Sequence, residues 1–327
     1  MGQNSDHFDG RKFHNINPRQ QGFPDLLRWM LSRQRGKWPK WRETQPGPRP
    51  PERVPGNDDR EDSLRITFVN HTTFLIQTHG MNLLTDPVWS KRASPVQWAG
   101  PARVRAPGIR FEDLPAIDVV LLSHDHYDHM DLATLRRLHS EHDPLYFTGL
   151  GNGRRLRKLG IERLTEMDWW QEAGLPNGAR LVCVPAQHFS GRTPFDRDTT
   201  LWCGFVLVPP PGSANSGAIY FAADTGFGPH FEMIAKKFSN LRLSILPIGA
   251  FRPEWFMGEV HCSPHEAVKA HKVLGTRLSV ASHFGTFPLA DDGEEEPLQR
   301  LAEALQEEGL TSKDFRVLNF GEGWTVP

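Results

Sequence analysis

The chain has 327 residues and a net charge of −1, enough length for one large core or two and no broadly basic surface for nucleic acid. No apolar run reaches the roughly 18–20 residues that span a bilayer, and the polar stretch from Gly2 to Asn17 lacks a secretory apolar segment. Asp6 stands where a myristoylation motif needs Ser or Thr. Cys183, Cys203 and Cys262 are far apart and form no Cys-x-x-Cys pair, which favours buried thiols in a reducing compartment over a disulfide framework. A soluble, cytoplasmic protein is the expectation, with no nucleic-acid partner.

Residues 1–62 differ in kind from the rest of the chain. Prolines cluster at Pro48, Pro50, Pro51 and Pro55, and an acidic stretch from Asp58 to Asp62 closes the segment. Between Asp25 and Arg42, six Lys or Arg face one acid, with Leu26, Leu27, Trp29, Met30 and Leu31 interleaved. The spacing predicts a short amphipathic helix over Pro24–Arg35. Such an extension either packs its apolar side on the main domain, the preferred reading, or serves as a lid or contact with the inner membrane face. Residues 63–327 form the main domain.

Strand-forming runs begin at Leu64. Leu64–Val69, Thr73–Gln77 and Met81–Thr85 are separated by Asn70-His71 and His79-Gly80, the pattern of a meander. Further strands are expected at Asp118–Leu122, Leu145–Thr148, Arg180–Val184, Cys203–Val208, Ala218–Ala222, Leu243–Leu246, Leu278–Ala281 and Phe315–Leu318. Helices are expected at 131–141, 151–159, 229–238, 263–274 and 294–308. Asp131 reads as the N-cap of the first, and Ser263 with Glu266 as a capping box for the fourth, with Pro264 at its first position. Pro209 to Ser213 reads as a hairpin-like loop, not a domain linker. Two sheets between helix layers are the expected α/β architecture.

The densest chemistry lies at Ser-His-Asp-His-Tyr-Asp-His, residues 123–129, directly after the apolar run ending at Leu122. A buried strand thus delivers His124, His126, Asp128 and His129 into a loop clamped by a helix start, a rigid mount for metal ligands. Imidazole with carboxylate suits zinc, manganese or iron, and the cluster is crowded for one ion. His124 and His126 fit one metal, and Asp128 and His129 fit a second.

His-x-His-x-Asp-His after a strand resembles the signature of the metallo-β-lactamase superfamily. Leu84 to Ser90, Arg92 to Pro95, Ala223 to Phe227, Val260-His261 with Pro264-x-Glu266-Ala267-Val268, and His283 to Phe287 further resemble the phospholipase D that hydrolyses N-acylphosphatidylethanolamine. The resemblance spans roughly residues 64–325. It implies a four-layer αββα sandwich with an N-terminal extension, and two divalent ions: zinc first, with manganese or iron as alternatives. By resemblance His124, His126 and His188 hold one ion, Asp128, His129 and His283 the second, and Asp224 bridges both. The candidate catalytic residues are Asp128, also a ligand, and His261, which either assists the phosphate and leaving oxygen or merely packs. Tyr127 and His261 are the candidate substrate contacts. Asp86 and His71 are expected to hydrogen-bond ligands or support them structurally. Trp89, Trp98, Trp169 and Trp170 either line a groove or fill the core, with core as the default. His79, His139, His142, His230, His265 and His271 are left as surface or core residues.

The implied activity is hydrolysis of N-acylphosphatidylethanolamine-type lipids to N-acylethanolamine and phosphatidic acid. The alternative is a metal-dependent lactonase acting on a sugar-phosphate or acyl lactone. Val88, Trp89 and Phe287 are the apolar residues expected to receive acyl chains. The implied partner is a phospholipid, with peripheral membrane contact and a homodimer left open.

Overall fold

The computed structural model describes residues 5–18, 20–54, 63–213 and 217–327. Pro55 and the acidic stretch Asp58 to Asp62 lie outside the described residues. The strands are β1 (Leu64–Asn70), β2 (Thr73–Thr78), β3 (Met81–Thr85), β4 (Val119–Leu122), β5 (Leu145–Gly149), β6 (Leu164–Met167) and β7 (Glu172–Gly174). They continue with β8 (Arg180–Val184), β9 (Gly204–Val208), β10 (Ala218–Phe221), β11 (Leu241–Pro247), β12 (Ser279–Ser282), β13 (Phe315–Arg316) and β14 (Gly323–Val326). The helices are α1 (Phe23–Ser32), α2 (Leu132–His142), α3 (Gly153–Arg157), α4 (His230–Lys237), α5 (Glu254–Met257), α6 (Pro264–Leu274) and α7 (Glu296–Glu307).

Two seven-stranded sheets result, in the orders β14-β1-β2-β3-β4-β5-β6 and β13-β12-β11-β10-β9-β8-β7. The period of two in β4 shows why both faces of the first sheet are apolar. Val119 and Leu121 join the large cluster shared with Cys183, Phe205 and Tyr220 of the second sheet. Val120 and Leu122 point the other way, into a cluster with Leu135 and Leu138 of α2. Beyond the second sheet, Phe231 of α4, Val268 of α6 and Leu301 of α7 complete the outer layer. The architecture is the expected αββα sandwich, and β1 to β3 form the expected antiparallel meander.

The expected caps are in place. Asp131 Oδ1 accepts from the Ala133 backbone N–H at 3.2 Å, and Ser263 with Glu266 closes a capping box around Pro264. Both fix helix starts immediately beside functional loops. β9, which precedes Pro209, and β10 pair antiparallel. The strands that the sequence pattern did not reveal are β6, β7 and β14. All three lie at sheet edges, where pairing on one side relaxes the demand for an apolar pattern.

The extension is laid along the body. Phe13 enters the main core, and its backbone N–H donates to the Asp198 carbonyl at 2.8 Å. α1 seats Leu26 and Trp29 against Phe256 and Met257, with Trp29 and Phe256 stacked at 5.1 Å. Arg33 pairs with buried Asp291 at 2.7 Å. Among the described residues no helix is long and apolar enough to cross a membrane.

Candidate metal centre

The strand directions converge on one sheet margin. β1, β3 and β4 run the same way, as do β8, β10 and β12. His71, Asp86 and the 123–129 loop follow the first three; His188, Asp224 and His283 follow the others. His71, Asp86, Ala223 and His283 have φ of 48°, 32°, 54° and 59°. Left-handed backbone at non-glycine residues costs on the order of 1 kcal/mol each and is kept where surroundings enforce it. The His283 backbone N–H donates to the His71 carbonyl at 2.8 Å. A Cβ at Gly249 would collide with the His283 carbonyl, so only glycine lets that loop approach.

His124, His126 and His188 form the first donor group. His124 Nε2 and His188 Nε2 lie 2.8 and 3.3 Å from His126 Nδ1. Both outer rings are held from behind: His124 Nδ1 donates to Ser123 Oγ at 2.8 Å, and His188 Nδ1 to the Val260 carbonyl at 2.9 Å. Those bonds turn two unprotonated Nε2 atoms inward. Burial pushes His124 and His188 well below the usual histidine range, which keeps the rings neutral. One proton on His126 is all that can lie among these three nitrogens, whereas a cation satisfies every lone pair.

Asp128, His129, His283 and Asp224 form the second group. His129 Nε2 lies 3.3 Å from Asp128 Oδ2 and 3.1 Å from Asp224 Oδ2; His283 Nε2 lies 3.7 and 3.1 Å from the same atoms. Asp224 Oδ2 is also 3.8 Å from His188 Nε2, so it stands between the two groups. Burial works to raise both carboxyls, but the charge of the rings they face, His129 first, holds them well below the usual range. Burial opposes charge on His283 too, but Asp224 lifts it to about 9. His129 is lifted well above its ordinary value against the same burial, again first by Asp224. The two carboxylates thus favour positive charge at the rings they face, and a divalent cation can supply it. Among the described residues His129 Nε2, both His283 ring nitrogens and Asp224 Oδ1 lack hydrogen-bond partners although buried. Orphaned donors and acceptors of this kind fit a metal pair.

Around this centre, Asp86 Oδ2 accepts from His129 Nδ1 at 2.8 Å and from Ser123 Oγ at 2.6 Å, and Asp86 Oδ1 accepts from Ser123 N–H at 2.8 Å. One carboxylate therefore orients both halves of the signature loop. His71 Nε2 lies 2.9 Å from Asp128 Oδ2. It also falls within the group of atoms able to share an ion with Asp128, His129 and His283. Burial pushes it down to about 4, so the neutral ring donates to Asp128. His261 Nδ1 lies 3.9 Å from Asp224 Oδ2 and lacks a hydrogen-bond partner among the described residues. Burial pushes it down to about 3.

Tyr127 donates its hydroxyl to the Arg192 carbonyl at 3.2 Å. Val88 and Phe287 close on Ala93 in a buried cluster, while Trp89 packs on Phe111 and donates to the Ile109 carbonyl at 3.1 Å. Val88 and Phe287 are core, which corrects the expectation that they receive acyl chains, whereas Trp89 is half-buried. Trp169 is buried and Trp98 is exposed.

Two supports carry no recognisable signature in the sequence. Asn15 grips His188 from the extension: its Nδ2 donates to the His188 carbonyl at 2.8 Å, and its Oδ1 accepts the His188 N–H at 3.0 Å. Asp125, the spacer between His124 and His126, is buried and accepts from Gly191 N–H at 2.7 Å and from Arg155 at 3.1 Å. Arg155 also reaches Asp196 at 2.5 Å, tying the loop after His188 to the signature loop. Burial and charge at Asp125 are the signal that a sequence cannot display.

Residues 81–284 match the family model described as a beta-lactamase superfamily domain. The N-acyl-phosphatidylethanolamine-hydrolyzing phospholipase D 1 of Caenorhabditis elegans is 34% identical over 276 residues, covering 81% of this chain and 76% of its own length. An uncharacterized protein of Mycobacterium tuberculosis is 40% identical over 253 residues, 76% of this chain; the chain spans 66% of that relative's length. The metallo hydrolase Igni18 of Ignicoccus hospitalis shares the fold with a TM-score of 0.60 at 22% identity, over 81% of this chain and 99% of that one. The match across most of both sheets, with the donor groups at the expected strand ends, means that the chain belongs to the metallo-β-lactamase superfamily of metal-dependent hydrolases.

Proposed function

We propose that the chain is a dinuclear, zinc-dependent phosphodiesterase that converts N-acylphosphatidylethanolamine-type lipids to N-acylethanolamine and phosphatidic acid. The observation that carries the substrate class is the 34% identity over 276 residues to the nematode enzyme of that name. In this reading His124, His126 and His188 hold one ion, Asp128, His129 and His283 the other, and Asp224 both. Nitrogen-rich donors with carboxylates suit zinc, and two such ions supply a positive centre that acidifies water and stabilises charge on a phosphoryl group.

Hydrolysis breaks the bond between phosphorus and the ethanolamine oxygen; water oxygen ends on phosphorus and a proton on the departing oxygen. The chain's own residues set up that exchange. Asp86 and Ser123 fix the signature loop, His71 holds Asp128, and Asn15 with Val260 holds His188. His261, neutral and within 3.9 Å of Asp224, offers a ring N–H to a phosphate oxygen or to the leaving oxygen. Tyr127 faces the loop after His188 and is assigned the outer edge of the substrate site.

The test is incubation of purified, metal-loaded protein with N-acylphosphatidylethanolamine in mixed micelles, read by mass spectrometry. Equimolar phosphatidic acid and N-acylethanolamine are expected. Intact lipid beside rapid opening of a sugar-phosphate lactone would transfer the site to lactone hydrolysis.

A further inference from the structure

His188, Asp224 and His261 reach the centre on three separate segments. Residues 187–188 follow β8, 224–226 follow β10, and 258–262 lie between α5 and α6. Buried Thr225 joins all three. Its Oγ1 accepts the Gln187 backbone N–H at 2.9 Å, immediately before His188. Its carbonyl accepts the Cys262 N–H at 2.8 Å, immediately after His261. Thr225 itself follows Asp224. The next residue adds to the junction: the Gly226 N–H donates to the Gln187 carbonyl at 2.8 Å. A Cβ on Gly226 would collide with the Glu259 carbonyl, so only glycine lets this turn lie against the third segment.

The hydroxyl of Thr225 is used in full. Such a group has one proton and two lone pairs. One lone pair takes the Gln187 N–H, and the proton goes to the Gly226 carbonyl at 2.8 Å. His230 Nε2, at the start of α4, lies 3.1 Å from the same oxygen. Burial pushes that ring down to about 3, so it is neutral and supplies an N–H to the second lone pair. A side chain that only filled space would need no hydroxyl. Valine has nearly the same shape, but in its place the Gln187 and His230 N–H groups would be left unpaired in the interior.

We propose that Thr225 is a positioning residue whose hydroxyl and carbonyl set the spacing of His188, Asp224 and His261. His124 and His126 share one loop, so local geometry fixes them relative to each other. His188 and Asp224 come from different loops, and the 3.8 Å between His188 Nε2 and Asp224 Oδ2 depends on how those loops are joined. His261, 3.9 Å from the same oxygen, depends on the junction through Cys262. Asn15 and Val260 hold His188 from other sides, but neither lies on the segment that carries Asp224. The proposal rests on the reading of a metal centre and is independent of the substrate.

The experiment is chelator competition on the full chain loaded with zinc, and visible absorption of the chain loaded with cobalt. It compares wild type, Thr225→Val, Thr225→Ser and Thr276→Val. Thr276 is the control: its buried hydroxyl bonds the Leu241 and Leu278 carbonyls, at the opposite end of β12 from His283. Thr225→Val should weaken binding at the His188 site roughly ten- to a hundredfold, as loss of a support behind a ligand does. Its cobalt bands should differ from wild type even at saturating metal. Thr225→Ser keeps the hydroxyl and should restore both readouts. Thr276→Val should melt lower yet keep wild-type affinity and bands. Wild-type affinity in Thr225→Val overturns the proposal, as does a Thr225→Ser chain that binds no better than Thr225→Val. Equal weakening in Thr276→Val also overturns it, because affinity would then merely follow stability. Should Thr225→Val fail to fold, His230→Phe takes away one partner of the hydroxyl and should weaken binding roughly threefold; unchanged affinity there counts against the proposal. A wild-type chain that takes up no divalent metal removes the centre and the proposal together, whereas the other outcomes leave the centre standing.

Discussion

Asn15→Ala is the most informative single change outside the donor groups. His188 is fully buried, and Asn15 provides partners for both its backbone N–H and its carbonyl. A buried backbone group left without a partner costs about 1–3 kcal/mol, so losing both should destabilise the metal-free fold by about 2–6 kcal/mol. The third Asn15 contact is cheap to lose, because Trp202 Nε1 also donates to the Ala186 carbonyl at 3.0 Å. In a chain of 327 residues such a loss lowers Tm by roughly 3–9 °C. Loosening the loop that presents His188 should also weaken metal binding roughly ten- to a hundredfold, as removal of supports behind ligands does. Calorimetry of metal-free and metal-loaded protein, with chelator competition, reads both effects. A melting point within a degree of wild type and unchanged metal affinity would refute the reasoning and make the extension a passenger.

Asp86→Asn removes the charged acceptor behind His129 and should weaken metal uptake roughly ten- to a hundredfold; unaltered chelator competition would dismiss its orienting role. His261→Ala should retain the metal content of wild type yet lower lipid turnover roughly a hundredfold, and wild-type turnover would leave His261 as packing alone. Arg155→Met strands the buried Asp125 carboxylate and should cost about 3 kcal/mol, read by urea unfolding; a loss below about 1 kcal/mol would show that Gly191 N–H alone satisfies it. Burial works to raise Asp196, but backbone and side-chain hydrogen bonds, led by Thr193, outweigh it and lower the group from 3.8 to about 2. Its stabilising contribution is therefore complete above about pH 4 and lost as pH falls toward 2; melts over that window should slope less in Asp196→Asn, and parallel slopes would contradict the assignment.

Much of the centre was legible because its core is local. His124 to His129 fall within six residues, and an apolar strand before them with a capped helix after them fixes where they point. His188, Asp224 and His283 needed family context, since a lone histidine or aspartate after a strand is ordinary. The supports were not legible because their partners are remote: Asn15 meets His188 across 173 positions, and Asp125 meets Arg155 across 30. Edge strands such as β7, with an exposed Glu172, lack the alternation by which a strand is recognised. Val88 and Phe287 show the converse error: their place in family-like stretches suggested a seat for acyl chains, but both close into a buried cluster with Ala93.

The central claim is a pair of ions sharing Asp224, and metal analysis of the intact chain beside Asp224→Ala and His283→Ala tests it most directly. Two equivalents of divalent metal per chain are expected in wild type, with one retained in His283→Ala and weakened binding of both in Asp224→Ala. A single equivalent in wild type that His283→Ala leaves undiminished would contradict it.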